Sequence, residues 1–178
     1  MDKIDHYIDR RTIIIGEVNS GKTSKTLNIL KLFLKNGYAK RMVILDLAPD
    51  AVRGIGGKMV PPPKEPLLYL TTSIFAPRLT GKDEYHTLQL AENNAKAIEI
   101  LFNNFQRHQK EILFINDATL YLQAGDLLRF INILGTTSTQ IINAYYGDTF
   151  PDSKLTRREK KLTEDLMILC DQVIKMPF

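Results

Sequence analysis

The sequence has little cysteine, no tryptophan and no long hydrophobic run. Cys170 is the single cysteine among 178 residues, which excludes an internal disulfide and a metal site built from several thiolates. No apolar run approaches the roughly 20 residues that a membrane-spanning helix needs, so we expect no membrane span. Charges at Asp2, Lys3 and Asp5 fall where a secretory signal would be apolar. We therefore expect a cytoplasmic protein.

Neither sign of charge dominates the chain. Its 24 basic and 20 acidic residues give a formal charge of +4, which is compatible with anionic ligands but neither predicts nor excludes nucleic-acid binding. A content of 44% hydrophobic and 25% charged residues is ordinary for a globular protein. The length is that of one domain, so we treat residues 1–178 as a single unit.

Short apolar runs alternate with amphipathic segments, a pattern typical of strands alternating with helices. This alternation favours a parallel sheet covered on both faces. We predict a three-layer α/β/α fold with a mostly parallel sheet of about five strands. The predicted strands are 11–15, 42–46, 112–115, 140–145 and 172–176. Helices are predicted after residue 21, over about 86–109 and over about 124–134. A last helix is predicted from the capping-box pattern formed by Thr156 and Glu159.

Residues 47–85 interrupt this pattern. The segment contains Gly54, Gly56, Gly57 and six prolines, so long helices are not expected there. Residues 67–71 could form one short strand inside it. Irregular segments of this length are uncommon in compact domains unless they are functional or disordered. We interpret this one as a loop or lid beside the ligand.

The strongest motif connects the first strand to the first helix. It fits the pattern G-x-x-x-x-G-K-[ST] at every fixed position, and it runs Gly16-Glu17-Val18-Asn19-Ser20-Gly21-Lys22-Thr23. The glycines let the backbone turn tightly and direct N–H groups at an anion, and the helix that follows adds the positive end of its dipole. In such a loop the lysine reaches the β- and γ-phosphates and the threonine hydroxyl binds Mg²⁺.

These residues resemble the phosphate-binding loop of the P-loop NTPase superfamily, in its RecA-like or partition-ATPase-like branch. The resemblance implies a P-loop NTPase fold, ATP or GTP as ligand, and Mg²⁺ as cofactor. It also implies that Lys22 acts in catalysis and that Thr23 is a metal ligand. The expected nucleotide-binding residues are Gly16, Glu17, Val18, Asn19, Ser20, Gly21, Lys22, Thr23 and Ser24.

A second anchor is expected at the end of a neighbouring strand. Asp117 follows the apolar run 112–115 and resembles the Walker B aspartate, which makes it a candidate for both metal binding and catalysis. Many RecA-like ATPases place a glutamate after that aspartate, whereas this chain has Asn116 before Asp117. Either Asn116 takes the metal-side position and Asp117 that of the base, or Asp117 holds the metal's water shell and no base follows.

Asp46 is the alternative acidic candidate. Residues 43–50 resemble the second strand of partition-type ATPases, in which an aspartate lies near the attacking water. Those proteins carry an additional lysine early in the loop, where this chain has Glu17 and Val18. Ligands of parallel sheets bind at the carboxyl ends of the strands, so we expect Asp46 near the nucleotide and include it among the catalytic candidates.

Weaker candidates lie elsewhere in the chain. Asn143 or Tyr146, at the end of the fourth predicted strand, could sense the γ-phosphate. Arg53 and Arg78 in the irregular segment could supply positive charge. A basic cluster could contact the nucleotide or a nucleic acid, although a solvated helix face is the commoner explanation; it comprises Lys154, Arg157, Arg158, Lys160 and Lys161.

Three functions are compatible with these features. The first is an enzyme that uses Mg²⁺ and ATP or GTP for hydrolysis or for transfer to a small-molecule acceptor. The order of elements through residues 166–176 resembles ATP:corrinoid adenosyltransferases, which favours transfer. The second is a nucleotide-dependent switch with little turnover, whose segment 47–85 orders around a protein partner. The third is a loop of this type that has lost nucleotide binding.

Overall fold

The structure, a computed structural model, describes residues 3–177. Of the three charged residues that argue against a secretory signal, Asp2 lies outside the described residues. Two 3₁₀ turns, Ile4–His6 and Ala39–Arg41, accompany the regular elements. The strands are β1 (Arg11–Gly16), β2 (Met42–Asp46), β3 (Leu68–Thr71), β4 (Ile112–Asn116), β5 (Thr139–Tyr145) and β6 (Gln172–Lys175). The helices are α1 (Lys22–Lys35), α2 (Pro77–Thr80), α3 (Glu84–Phe105), α4 (Thr119–Leu122), α5 (Leu127–Leu134) and α6 (Lys154–Ile168).

The strands form one parallel sheet in the order β3-β2-β4-β5-β1-β6. Its six strands correct the expected number of about five, because 68–71 pairs in parallel with β2 and extends the edge. The four central strands are almost wholly buried, as continuous β-branched and leucine-rich runs predict for a sheet covered on both faces. The predicted three-layer α/β/α class is confirmed.

Two apolar cores cover the two faces of the sheet. One face packs against α3, α4, α5 and α6, with Phe102, Tyr121 and Phe130 at its centre. The other face packs against α1, where Phe33 lies edge-on to Phe114 at 5.7 Å between ring centroids. No helix within residues 3–177 is both long and apolar enough to cross a membrane.

Two helix predictions need correction. The helix predicted over 124–134 starts later, at Leu127 (α5), behind Asp126, whose carboxylate accepts from the Arg129 N–H at 2.7 Å. The separate short helix α4 precedes it and ends at Leu122. The last helix begins at Lys154, capped by Ser153. Thr156 therefore lies inside α6 and Glu159 is free of any capping role.

Candidate functional site

The carboxyl ends of the parallel strands carry a cavity of about 390 Å³, a size typical of small-ligand sites. It brings together residues from four parts of the chain. The loop after β1 contributes residues 18–24, the irregular segment contributes 48–49, 55–58 and 76–79, and the ends of β4 and β5 contribute Asn116, Asp117, Asn143 and Tyr145. Thr119, Leu120, Gln123 and Phe150 complete the wall.

The glycines of the loop permit its turn. Gly21 immediately precedes α1 and has φ of 88°. This value lies in the left-handed region, which residues other than glycine rarely adopt. A Cβ atom on Gly16 would lie 2.6 Å from the Ser20 hydroxyl oxygen and 3.0 Å from the Met176 Cβ. The loop can therefore fold tightly against β1 and β6 because Gly16 has no side chain. The predicted strand–loop–helix context of the motif is confirmed.

The amino end of α1 opens into this cavity without a protein cap. Within the described residues no side-chain cap accepts from its first N–H groups, and no acidic residue lies in its first turn. The first amides of any helix lack intrahelical acceptors, and the helix dipole makes this end electropositive. An anion is the natural ligand for such an end.

Lys22 adds a formal positive charge at the same place. Its ammonium donates to the Glu17 main-chain carbonyl and lies 6.0 Å from the centre of the Tyr145 ring. Burial lowers the pKa of Lys22, while Asp117 and Glu17 act in the opposite direction. The ammonium is therefore hydrogen-bonded to a neutral carbonyl, and a bound polyanion would offset the electrostatic cost of its burial.

The side chains of Asn116 and Asp117 make different contacts at the end of β4. Asn116 is buried, and its carbonyl oxygen faces the Thr23 hydroxyl at 3.5 Å. Asp117 has φ of 57° and lines the cavity, where the Thr119 hydroxyl donates to it. Asn116 thus occupies the position beside Thr23, which favours the first of the two alternatives left open by the sequence.

Asp117 combines burial with positive neighbours. Burial raises the pKa of its carboxyl, while the Thr119 hydrogen bond, Lys22 and Arg78 partly offset this effect. A carboxylate with a raised pKa is a better proton acceptor than one in water. The geometry and the pKa direction fit a base at this position.

A row of buried polar side chains lies beneath the cavity. Asn116 donates to Asp46 at 2.9 Å and accepts from Asn143 at 2.9 Å. Asn143 also donates to Thr26 at 3.0 Å and accepts from the Asp117 N–H at 2.7 Å. The ends of β2, β4 and β5 are therefore fixed relative to α1 by hydrogen bonds.

Asp46 lies in this row and does not line the cavity. One carboxylate oxygen accepts from the Ala48 N–H and Asn116, and the other from the Met59 N–H and the Tyr69 hydroxyl, at 2.6–3.2 Å. All four donors belong to the protein, so the carboxylate is engaged in holding the irregular segment onto β2. Its predicted role beside the attacking water remains a prediction, and the geometry favours a positioning role.

The first part of the irregular segment folds over the strand ends. Val52 and Ile55 pair across a two-residue turn in which Arg53 and Gly54 both have positive φ, the arrangement of a tight hairpin. Lys58 fixes the segment by donating to the Ala48 carbonyl, the Thr71 hydroxyl and the Thr72 carbonyl. Residues 55–58 consequently form a wall of the cavity.

Of the two arginine candidates in the irregular segment, Arg78 reaches the cavity wall, whereas Arg53 lies on the exposed turn. The Arg78 guanidinium lies 3.9 Å from the centre of the Phe150 ring and donates to Glu159 at 2.7 Å. Glu159 is buried and the Arg78 side chain is 13% exposed. The second Glu159 oxygen accepts from Gln123 at 2.7 Å.

Glu159 and Gln123 belong to the site but were not predicted. Glu159 shares the buried stripe of α6 with Leu155 and Leu166, and a carboxylate at that helical spacing was the available signal. The capping-box interpretation concealed it. For Gln123, which follows α4, the sequence offers no comparable signal.

Glu17 attaches the segment after β5 to the phosphate-loop motif. Its two carboxylate oxygens accept from the Asp148 N–H and from the Thr149 hydroxyl. Gly147 has no space for a side chain, since a Cβ would lie 2.1–2.3 Å from the Glu17 carboxylate. The Thr149 hydrogen bond lowers the pKa of Glu17, so the carboxylate stays ionised. Neither Glu17 nor Gly16 lines the cavity itself.

Other candidates lie apart from the cavity. Tyr146 donates to Glu164 and does not line it. In the basic cluster, Arg157 pairs with Asp152, Lys160 with Asp148 and Lys161 with Asp165, and Arg158 donates to the Gly125 carbonyl. Four of the five basic residues are thus engaged in local contacts, which weakens the case for a nucleic-acid surface.

The described residues include no group of three or more histidine, cysteine, aspartate or glutamate side chains that could hold a metal ion by themselves. Mg²⁺ is commonly bound through one or two protein oxygens together with substrate phosphates. The Thr23 hydroxyl and the Asn116 carbonyl oxygen fit this mode. No protein-family model and no curated protein matches the chain.

The buried Glu159 carboxyl gives a prediction for stability. Burial raises its pKa from 4.5 to about 7, against the opposing effect of Arg78. The folded protein therefore binds this proton more tightly than the unfolded chain, so the free energy of unfolding falls as the pH rises from about 4.5 to about 7. Above that range this group adds no further pH dependence.

This fall in the free energy of unfolding amounts to about 3 kcal/mol, and we expect it to be absent in Glu159→Gln. Urea unfolding of both proteins at several pH values between about 5 and 8 measures the difference. Parallel pH profiles for the two proteins would contradict the assignment. Asp165→Asn, at a more exposed position of the same helix, is the matched control and should leave the profile unchanged.

Proposed function

We propose that the protein binds a nucleoside triphosphate with Mg²⁺ at this cavity and hydrolyses it. The observation that carries the proposal is the uncapped amino end of α1, which opens into the cavity together with the Lys22 ammonium. Backbone N–H groups and one lysine around a small concave site suit a phosphate chain better than any uncharged ligand. The matching loop motif independently supports the same ligand class.

Each loop residue has a role in this proposal. Lys22 leaves the Glu17 carbonyl and donates to the β- and γ-phosphates, and the amides at the start of α1 hold the phosphate oxygens. The Thr23 hydroxyl, together with the Asn116 carbonyl oxygen, holds Mg²⁺, which supplies charge neutralisation at the phosphates when bound. Arg78 lies across the cavity and adds positive charge there.

The proposed base is Asp117. Its carboxylate lines the cavity, and burial raises its pKa. It accepts the proton of the attacking group, while Lys22 and Arg78 stabilise the charge that develops on the phosphate oxygens. Asp46 contributes by holding Asn116 and residues 48 and 59 in place.

The second candidate is a nucleotide-dependent switch with little turnover. Asn116 favours it, since a neutral amide stands beside Thr23 where an acidic residue would bind the metal more strongly. In this alternative, the hairpin and Lys58 region of residues 47–60 changes its contacts when the nucleotide binds.

Titration calorimetry with Mg-ATP and Mg-GTP tests the binding proposal and shows which of the two nucleotides is preferred. We expect one saturable site, with the affinity reduced when Mg²⁺ is removed by a chelator. Phosphate release then separates the two candidates: a turnover of many per minute by the protein alone would exclude the switch. Absence of binding for both nucleotides would contradict the proposal as a whole.

A further inference from the structure

Gln123 presents an unpaired hydrogen-bond acceptor at the cavity. The residue immediately follows α4, is 2% exposed and forms part of the cavity wall. Its backbone N–H donates to the Thr119 carbonyl at 3.0 Å. Its side-chain nitrogen donates to Glu159 at 2.7 Å, whereas its side-chain oxygen Oε1 is buried with no partner in the described structure.

The chemistry of Glu159 fixes which end of the amide is free. A carboxylate oxygen can only accept, so the nitrogen of Gln123 must face Glu159 and the oxygen must face away from it. Arg78 favours the ionised carboxylate by donating to its other oxygen at 2.7 Å. Buried polar atoms without a partner are rare in proteins, and such an atom at a binding site indicates a ligand that supplies the missing hydrogen.

Asp117 offers a second acceptor in the same cavity. One of its carboxylate oxygens accepts from Thr119, and no hydrogen bond occupies the other among the described residues. The two residues are joined through the short helix, since Thr119 contacts Asp117 by its hydroxyl and Gln123 by its carbonyl. Lys22 and Arg78 act electrostatically on Asp117. The ligand held here must therefore supply at least two hydrogen-bond donors, and it lies beside the positively charged site proposed for the phosphates.

We infer that Gln123 Oε1 and Asp117 together hold the water molecule that attacks the terminal phosphate of the bound nucleotide. Water has two O–H donors, one for each acceptor, whereas an alcohol has a single donor. The inference rests on the proposed function and adds to it the group that orients the attacking water.

The step balances within this set of groups. The water oxygen forms a bond to the terminal phosphorus, and the bond from that phosphorus to the bridging oxygen breaks. The nucleoside diphosphate leaves with the bonding electron pair, and one water proton passes to Asp117. Gln123 holds the other O–H bond and so directs an oxygen lone pair at phosphorus. It takes no proton.

Substitution of Gln123 by methionine tests the inference, because methionine has a similar shape and no amide oxygen. At saturating Mg-ATP and about pH 8, above the range in which Glu159 protonates, we expect kcat for phosphate release to fall by about 10- to 100-fold. The Kd for Mg-ATP should stay within about twofold, since Gln123 contacts the water and not the nucleotide. Gln89→Met, at an exposed position of α3, is the surface control and should behave as the unsubstituted protein.

An exchange of the two side chains separates the proposed role from simple packing. In the double variant Gln123→Glu with Glu159→Gln, the amide at position 159 can donate to the carboxylate at 123 and still accept from Arg78. The free carboxylate oxygen at 123 again presents an acceptor to the cavity. We expect kcat within about fivefold of the unsubstituted protein, whereas packing alone gives no reason for this recovery over Gln123→Met.

The outcomes discriminate between the two proposals. An unchanged kcat in Gln123→Met, or a double variant as slow as Gln123→Met, would contradict the role of Gln123. Bound Mg-ATP without phosphate release by the unsubstituted protein would also contradict it, while leaving nucleotide binding in place. Failure to bind both Mg-ATP and Mg-GTP would instead overturn the proposed function. If Gln123→Met does not fold, as judged by circular dichroism, a tenfold or larger loss in the folded double variant is the contradicting result.

Discussion

Replacement of Lys22 by alanine is expected to weaken Mg-ATP binding by about 100-fold, the loss typical of removing one partner of a buried charge pair. The ammonium is held near the loop by the Glu17 carbonyl rather than by a carboxylate, so it is available to the phosphates. Its pKa is lowered by burial, which means that a bound polyanion would remove an existing electrostatic cost. Calorimetric titration with Mg-ATP measures the change.

The control for this experiment is Lys31→Ala. Lys31 lies on the same helix, α1, but at an exposed position, so its removal changes the net charge equally without touching the cavity. We expect its affinity for Mg-ATP to remain within about twofold of the original, since surface charges have small effects at ordinary salt. Equal affinity of Lys22→Ala and Lys31→Ala would mean that the loop does not bind the phosphates.

Replacement of Asp46 by alanine is expected to produce the largest loss of stability, about 3–5 kcal/mol, which lowers Tm by roughly 10 °C in a domain of this size. The substitution leaves four buried or partly buried donors without an acceptor. They are the backbone N–H groups of Ala48 and Met59, the Tyr69 hydroxyl and the Asn116 amide. Each buried unpaired donor costs about 1–3 kcal/mol, and local rearrangement recovers part of the sum.

Asp50→Ala provides the comparison for Asp46→Ala. Asp50 is an exposed carboxylate only four positions further along the same segment, and its removal should change Tm by no more than about 2 °C. Thermal unfolding followed by circular dichroism gives both values. A loss below about 1 kcal/mol in Asp46→Ala would show that the buried polar row does not hold residues 47–60 onto the sheet.

The main features of the fold could be predicted because its central strands are buried on both faces. Runs such as 42–46 and 112–115 are apolar throughout, and the structure places β2 and β4 at those positions. The irregular segment was harder, since its order depends on long-range hydrogen bonds. The contact between Lys58 and Thr72, or between Asp46 and Met59, has no counterpart in local sequence pattern.

The site could be predicted in part, and the division has a physical cause. The loop motif is contiguous in sequence, so its geometry follows from neighbouring residues, and the carboxyl ends of parallel strands meet at one edge. The far wall is assembled from residues on and beside α2 and α4 and is supported by Glu159 on α6, which pairs with Arg78 across 81 positions of sequence. Only the folded chain brings them together, and the resemblance of Thr156 and Glu159 to a capping box directed attention away from the correct role.

The carboxylate of Glu17 shows that a motif's unspecified positions can carry information of their own. The loop pattern accepts any residue at this place, yet here the side chain joins the loop to residues 148 and 149. The requirement reaches Gly147 as well, since a side chain there would occupy the space of that carboxylate. A loop transplanted from another protein could satisfy all the fixed letters of the pattern and still detach the β5–α6 connection. For redesign of this chain, the unit to be kept intact is therefore the pair of segments and not the eight-residue motif alone.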